Sequence, residues 1–332
     1  MEPLRVVDMH TGGEPLRIVT SGYPAIPGAS ILEKRSYVRD HLDHFRKILM
    51  FEPRGHADMY GALLVEPSLP GADLAVLFMH NEGYSTMCGH AIIALGRFAV
   101  DRGMVRAEGQ TARVNLECPC GMVVADVAIR DGKAGEVSFV SVPSFLFASD
   151  VLVAMPGRDE IICDIAYGGA FYAIAPASAF GLEFGRDPVA AFIEAGDRLT
   201  QAAKAAVPLS HPDADELAFL YGSILTDGGE GANEPSRNIC VFADRQVDRS
   251  PTGSGVTARM AALHAKKRVA PGETRAFESI VGSRFTGRVE ATARVGDFEG
   301  VTVRVAGRGH YSGEASFTVE AGDPLGGGFL VR

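Results

Sequence analysis

The chain has 332 residues, 46% hydrophobic and 22% charged, with a formal net charge of −9. That length allows roughly two domains of about 150 residues, and the composition excludes a disordered chain. The acidic balance speaks against a nucleic-acid binder, and apolar runs such as 91–95 are far shorter than the roughly 20 residues of a membrane span.

Glu2 and Asp8 flank the first apolar stretch, so no secretion signal is expected there. The five cysteines are then expected as reduced thiols of a cytoplasmic protein. Leu4-Val6 and Leu16-Ile18-Val19 alternate like strands around a turn at His10-Thr11-Gly12-Gly13. Residues 28–51 carry apolar side chains near helical period, from Ile31 and Leu32 through Phe45, Ile48 and Leu49. Strand-like runs follow at 60–66 and 73–80. A helix is expected from Gly89 to Gly103, and strands at 112–118 and 122–129.

The second half repeats this order. Tyr167-Gly168-Gly169-Ala170 is a turn between short β-like runs, and 188–207 reads as a helix. Strands are expected at 217–226 and 236–243, then a helix from Gly253 to about Arg268. Strands at 276–281, 286–294, 298–305 and 310–319 complete the chain. A displacement of 164 places Cys88-Gly89-His90 on Thr252-Gly253-Ser254, Ala94 on Ala258 and Leu116 on Ile280. The expected class is α/β (α+β), built by duplication. Two similar halves facing each other would hold a small ligand in the cleft between them.

Met87-Cys88-Gly89-His90-Ala91 opens one predicted helix. A helix start offers unpaired N–H groups and about half a positive charge, which favours a thiolate or a bound carboxylate. The alternative is a buried cysteine that only packs at a helix start. Asp248-Arg249-Ser250-Pro251-Thr252-Gly253-Ser254-Gly255 opens the second helix. Taken alone, Thr252 is explained as an N-cap and Asp248 as a turn former. A dinucleotide fingerprint is rejected, because charged residues and Pro251 stand where a buried strand should feed the loop. Ser254 lacks the Gly-x-Ser-x-Gly context of a hydrolase nucleophile, since Thr252 holds the first glycine position. Together the two starts suit an amino or imino acid held by its carboxylate, with Cys88 on one face of its α-carbon and Thr252 on the other.

These two segments resemble the two signatures of the proline racemase family. His10-Thr11-Gly12-Gly13-Glu14-Pro15, Pro53-Arg54-Gly55-His56 and Asp323-Pro324-Leu325 are similar to other family segments, so the resemblance spans essentially the whole chain. It implies two pseudo-symmetric domains of diaminopimelate-epimerase-like fold, each a mixed sheet around a central helix, with the active site between domains. The expected domains are 1–135, to which about 315–332 returns, and 136–314. Members work without pyridoxal phosphate or metal and are often homodimers.

The chain departs from the racemase pattern at Thr252, where racemases and 4-hydroxyproline 2-epimerases have cysteine. A threonine hydroxyl is too weak an acid to serve as a thiolate-like base near neutral pH. The Cys/Thr pairing looks like that of the family's trans-3-hydroxy-L-proline dehydratases, which need only one α-proton removed. The resemblance then implies that Cys88 is the base. The N–H groups of Gly89, His90, Gly253 and Ser254 would hold the carboxylate. Asp248 would pair with the ring ammonium, and Thr252 would lie near the 3-hydroxyl. His90 would assist the leaving hydroxyl or be fixed by backbone contacts. The alternatives are a 4-hydroxyproline 2-epimerase, a proline racemase and, from another class, a non-catalytic amino-acid-binding protein.

Other features read as structure. Cys118-Pro119-Cys120 has no second Cys/His pair at zinc spacing and is expected as strand-end thiols. Cys163 and Cys240 are expected in the core. His41 and His44, with Asp40 and Asp43, are expected on a solvated helix face, and Gly228-Gly229-Glu230-Gly231 as a flexible loop. None of the six lysines stands in a glycine-rich motif that would suit a Schiff base.

Overall fold

The computed structural model describes residues 2–331 except 156, 158, 159, 213 and 214. By its internal contacts the chain divides into two units, Met1–Phe139 with Arg308–Arg332, and Val140–Gly307.

The first unit opens with a hairpin, β1 (Leu4–Thr11) and β2 (Glu14–Ser21). Gly12 and Gly13 form its two-residue turn with φ of 62° and 90°, a turn type that needs positive φ at both positions. Two helices follow, α1 (Ile31–His41) and α2 (Asp43–Met50). The expected single helical stretch is therefore broken at Leu42, which leaves helical geometry at φ −122° and ψ 11°. Ser30 caps α1 by accepting from Glu33 N at 3.2 Å. His41 and His44 are exposed as expected. Asp43 instead pairs at 2.6 Å with Arg46, which is buried.

The chain returns as β3 (Tyr60–Val65), parallel to β2, then as β4 (Leu74–His80), antiparallel to β3. The short β5 (Gly83–Ser85) folds back on β4 and leads into α3 (Gly89–Asp101). β6 (Thr111–Cys118) then lies parallel to β4, and β7 (Gly121–Arg130) and β8 (Lys133–Val140) follow antiparallel.

The second unit begins with β9 (Ser144–Val153), β10 (Ile161–Tyr167) and β11 (Phe171–Pro176), each antiparallel to the one before. After α4 (Val189–Ala206), β12 (Leu220–Thr226) lies parallel to β11. β13 (Ser236–Phe242) and the short β14 (Gln246–Asp248) follow antiparallel, and then α5 (Gly253–Ala265). β15 (Thr274–Glu278) returns parallel to β13, followed by β16 (Arg284–Val295) and β17 (Phe298–Gly307). Gly300 and Val301 of β17 pair with Phe145 and Ser144 of β9, which closes these strands into a barrel. The last strand, β18 (Gly309–Phe317), pairs along β1, so the chain from Arg308 belongs with the first unit.

From β1 to β8 and from β10 to β17 the ladders follow the same sequence of parallel and antiparallel pairings. In each run a helix follows the short fifth strand. α3 and α5 have 13 residues each, and their first residues, Gly89 and Gly253, are 164 positions apart (253 less 89). Both are buried on every side through most of their length, as an enclosed helix requires. α3 packs against β1, β6, β7 and β18, and α5 against β9, β10, β11, β16 and β17. The result is a mixed α/β fold in which apolar helices carry glycine-rich starts inside sheet. No described helix is long and apolar enough to cross a membrane.

Candidate active site

The chain leaves β5 at Ser85 and enters α3 through Cys88, whose backbone is extended (φ −150°, ψ 106°). The Cys88 carbonyl accepts the first helical bond from Ile92 N at 3.0 Å. Its side chain makes no capping bond. The sulfur instead meets the His90 ring, with Sγ 3.1 Å from Nδ1 and 3.7 Å from Nε2. The thiol is 6% exposed and His90 4%. His90 is expected either to assist the leaving hydroxyl or to be fixed by backbone contacts; the structure seats its ring on the Cys88 sulfur. A thiol in this contact can pass its proton to imidazole, leaving a thiolate beside an imidazolium. The N–H groups of Gly89 and His90 belong to the first turn, which has no intrahelical acceptors for them.

The imidazole is held from outside the motif. Tyr60 meets it edge-on at 4.9 Å between ring centroids and stacks on His80 at 5.8 Å. The Tyr60 hydroxyl is hydrogen-bonded to Ser85. His80 accepts from Glu82 N at 3.2 Å. Burial first, then the Arg46 and Arg35 charges, push His80 down to about 3, so this second ring is neutral. Arg46 donates to the His80 carbonyl at 2.9 Å and to that of Asn81.

The start of α5 is built differently. Thr252 occupies the N-cap position at φ 67° and ψ 102°, a left-handed conformation that costs a β-branched residue about 1–3 kcal/mol. Its side chain does not cap the helix, which corrects the expectation of a capping threonine. The turn is fixed from behind instead. Ser250 Oγ accepts from Thr252 N at 3.1 Å, and Asp248 Oδ1 accepts from Ser250 N at 2.7 Å. Asp248 therefore does form a turn, and a carboxylate has acceptor capacity beyond that one bond.

Thr252 is 5% exposed, and among the described residues its Oγ1 has no hydrogen-bond partner. A buried hydroxyl left in that state calls for a ligand or water. Gly255 leaves room for the Thr252 side chain itself, since a Cβ there would lie 3.0 Å from Thr252 Cβ and 3.1 Å from its methyl. Ser254 is committed to the protein, its Oγ lying 2.7 Å from the Tyr172 hydroxyl. Burial, then the neighbouring Cys240 and Tyr221, raise the Tyr172 phenol well above its ordinary range. Gly168 approaches this turn so closely that a Cβ would stand 2.2 Å from the Ser254 carbonyl oxygen.

Two groups of sequence-predicted residues thus gather, one within each unit: Cys88, Gly89 and His90 around the α3 start, and Asp248, Thr252, Gly253 and Ser254 around the α5 start. Tyr60, His80 and Tyr172 carried no local signal, because they reach the site only through sheet register and ring contacts. Cys118 ends β6, and all five cysteines are free thiols, Cys163 and Cys240 among them in the core. Residues 228–231 do form a loop, but a tied one. Arg259 and Ser236 both donate to the Gly229 carbonyl, at 3.0 and 2.8 Å, and Ala276 N donates to that of Gly231 at 2.9 Å. Among the described residues no cluster of three or more His, Cys, Asp or Glu could hold a metal ion.

The family model described as proline racemase matches residues 6–330. Trans-3-hydroxy-L-proline dehydratase of Homo sapiens is 55% identical over 335 residues, covering 99% of this chain and 95% of the human protein. A 3-hydroxyproline 2-epimerase of Burkholderia multivorans is 46% identical over 99% of this chain and 98% of its own. A crystal structure of a hydroxyproline epimerase from Agrobacterium vitis, with bound trans-4-hydroxy-L-proline, superposes with a TM-score of 0.91. It is 29% identical, covering all of this chain and 95% of that one. With a family model matching nearly end to end and relatives this similar along their full length, the chain belongs to the proline racemase family.

Proposed function

We propose that this protein is a cofactor-independent trans-3-hydroxy-L-proline dehydratase. The observation that carries the reading is the α5 start. There a buried threonine hydroxyl has no hydrogen-bond partner among the described residues, and a hydroxyl is too weak an acid to be the second acid/base that inversion of an α-carbon needs. The relative from Homo sapiens, named for that activity, supports it.

In this mechanism the Cys88 thiolate, formed with His90 as its proton partner, takes the α-proton. The C–H electron pair becomes the Cα–C3 double bond, and the C3–O bond breaks. The hydroxyl leaves as water with a proton supplied by the site. The enamine so formed tautomerises to Δ1-pyrroline-2-carboxylate. N–H groups of Gly89, His90, Gly253 and Ser254 hold the substrate carboxylate and the charge that develops on it. Asp248 takes the ring ammonium, and Thr252 Oγ1 hydrogen-bonds the 3-hydroxyl. The repeated ladder order supports reading the two units as pseudo-symmetric copies of one diaminopimelate-epimerase-like domain.

Incubation with trans-3-hydroxy-L-proline, with o-aminobenzaldehyde to trap the cyclic imine, tests the reading directly. Trapped product with that substrate, and none with L-proline or trans-4-hydroxy-L-proline, is expected. A binding protein would return all three unchanged. The Burkholderia multivorans relative, named a 3-hydroxyproline 2-epimerase, favours a second reading. Under it the same substrate would be inverted at Cα without loss of water, and no imine would be trapped.

A further inference from the structure

Gln246 is the first residue of β14 and is 4% exposed, yet among the described residues neither its Oε1 nor its Nε2 has a hydrogen-bond partner. Leaving a whole amide unsatisfied in the interior is costly, and native proteins do so only where something else completes the bonding. Alternation along a strand puts Gln246 on the same face as Asp248, two residues on. Their partners across the ladder, Phe242 and Cys240, share that face. Tyr221 stacks on Phe242 at 5.3 Å and meets Tyr172 edge-on at 6.0 Å, and the Tyr172 hydroxyl reaches Ser254 at the α5 start. One continuous surface therefore carries the unpartnered amide, the Asp248 carboxylate and the first turn of α5.

A cyclic secondary amino acid supplies one thing this surface lacks, a donor for the amide oxygen. Its ring ammonium has two N–H donors. Asp248 can accept one of them, although its Oδ1 already holds Ser250 N. The second donor needs another acceptor on the same side, and a neutral amide oxygen provides one without placing a second buried carboxylate beside the first.

We propose that Gln246 is a substrate-binding residue whose Oε1 accepts the second N–H of the substrate's ring ammonium, alongside Asp248. The assignment rests on the dehydratase reading above for its substrate. It extends to any ligand with a protonated ring nitrogen, and excludes planar pyrrole-2-carboxylate, whose nitrogen is uncharged and carries a single N–H.

The test compares wild type with Gln246→Met, an apolar side chain of similar length, and with Gln246→Leu as a second variant. Four quantities are measured: KM for trans-3-hydroxy-L-proline, the dissociation constant of L-proline, the inhibition constant of pyrrole-2-carboxylate, and Tm. The expected result is a rise of about tenfold or more in the first two, the scale of one hydrogen bond to a charged group, with the third changed less than threefold. Tm should hold or rise, because an unsatisfied buried amide has been removed. Equal weakening of all three ligands, or a fall in Tm with ligand constants unchanged, overturns the assignment and makes Gln246 a structural residue. A wild type that neither turns over nor binds the hydroxyproline overturns the underlying reading as well, so the two failures are distinct.

Discussion

Cys88 Sγ and His90 Nδ1 lie 3.1 Å apart across the first turn of one helix. The pair is buried, and Tyr60 and His80 back the imidazole with rings rather than charges. Proton transfer within the pair creates a base without importing a charged group. The contact makes His90 more than a provider of one backbone N–H. It predicts that Cys88→Ser lowers kcat by roughly 10²–10⁴-fold, the range of a general base, with Tm within a few degrees of wild type. His90→Gln should lower kcat about 10- to 100-fold and move the acidic limb of the pH–rate profile to higher pH, because the thiol loses its proton partner. A His90→Gln profile identical to wild type would remove the imidazole from the chemistry.

His80 lies under Tyr60 and is held neutral, at about 3 against an ordinary 6.5, by burial and by Arg46 and Arg35. In the unfolded chain it takes up a proton near pH 6.5. Between pH 6.5 and about 3 the unfolded state binds one more proton than the folded state, so stability falls as pH falls through that window. The contribution is complete above pH 6.5. This one group supplies a slope of at most about 1.4 kcal/mol per pH unit. Denaturant titrations should find that slope reduced in His80→Asn, whose side-chain oxygen can replace Nδ1 as acceptor for Glu82 N. An unchanged slope would mean that other groups set acid stability.

Gly168 fixes the start of α5 from the β10–β11 turn. A methyl group there would stand 2.2 Å from the Ser254 carbonyl oxygen and 2.5 Å from Ala258 N, both backbone atoms that cannot swing aside. Gly168→Ala should therefore lower stability by about 1–3 kcal/mol, the range of core overpacking. It should also raise KM for the hydroxyproline, because Ser254 and Thr252 must shift. Equilibrium unfolding together with steady-state kinetics checks both, and wild-type values for both would show that the turn adapts.

Much of this arrangement is legible in the chain, and what is not has identifiable causes. The two helix starts stand out because glycines precede apolar runs of helical period, and 164 positions separate them both in sequence and as observed. The break at Leu42 is hidden because apolar residues keep helical spacing across it. β5 and β14, of three residues each, are too short to show alternation, and Gln246 goes unnoticed with them. β8 and β9 also escape, since β9 mixes exposed and half-buried positions without a clean period of two. Tyr60 meets His90 and Tyr172 meets Ser254 only because strands far apart in sequence come together. Of the other family segments, His10 to Pro15 make a hairpin turn. Arg54 ties the chain end, donating to the carbonyls of Thr318 and Gly326 at 3.2 and 3.1 Å. Spacing alone cannot separate such struts from the site.

The groups assigned to stabilise charge are backbone N–H donors, so activity should survive exhaustive dialysis against a chelator. Loss of turnover that a divalent ion restores would replace the backbone-donor mechanism with a metal-assisted one.

Thr252 gives the sharpest test of reaction type. With one thiol base, wild type should dehydrate trans-3-hydroxy-L-proline and show little optical inversion of L-proline or trans-4-hydroxy-L-proline. Thr252→Cys places a thiol on the same strained residue, at φ 67°. It also removes the methyl that packs against Gly255, which eases the left-handed backbone of a β-branched residue. The variant should then gain optical inversion of both prolines, with deuterium at the inverted α-carbon in heavy water, and lose part of its dehydratase activity. The gain will be limited, because an acid/base must sit within about half an ångström of its productive position and the surrounding turn is shaped for a hydroxyl. Dehydration should fall, because the proposed hydrogen bond from Thr252 to the 3-hydroxyl is lost. Efficient inversion by the unmutated enzyme would instead place a second acid/base on the opposite face of the substrate. The epimerase reading carried by the Burkholderia multivorans relative would then replace the dehydratase one.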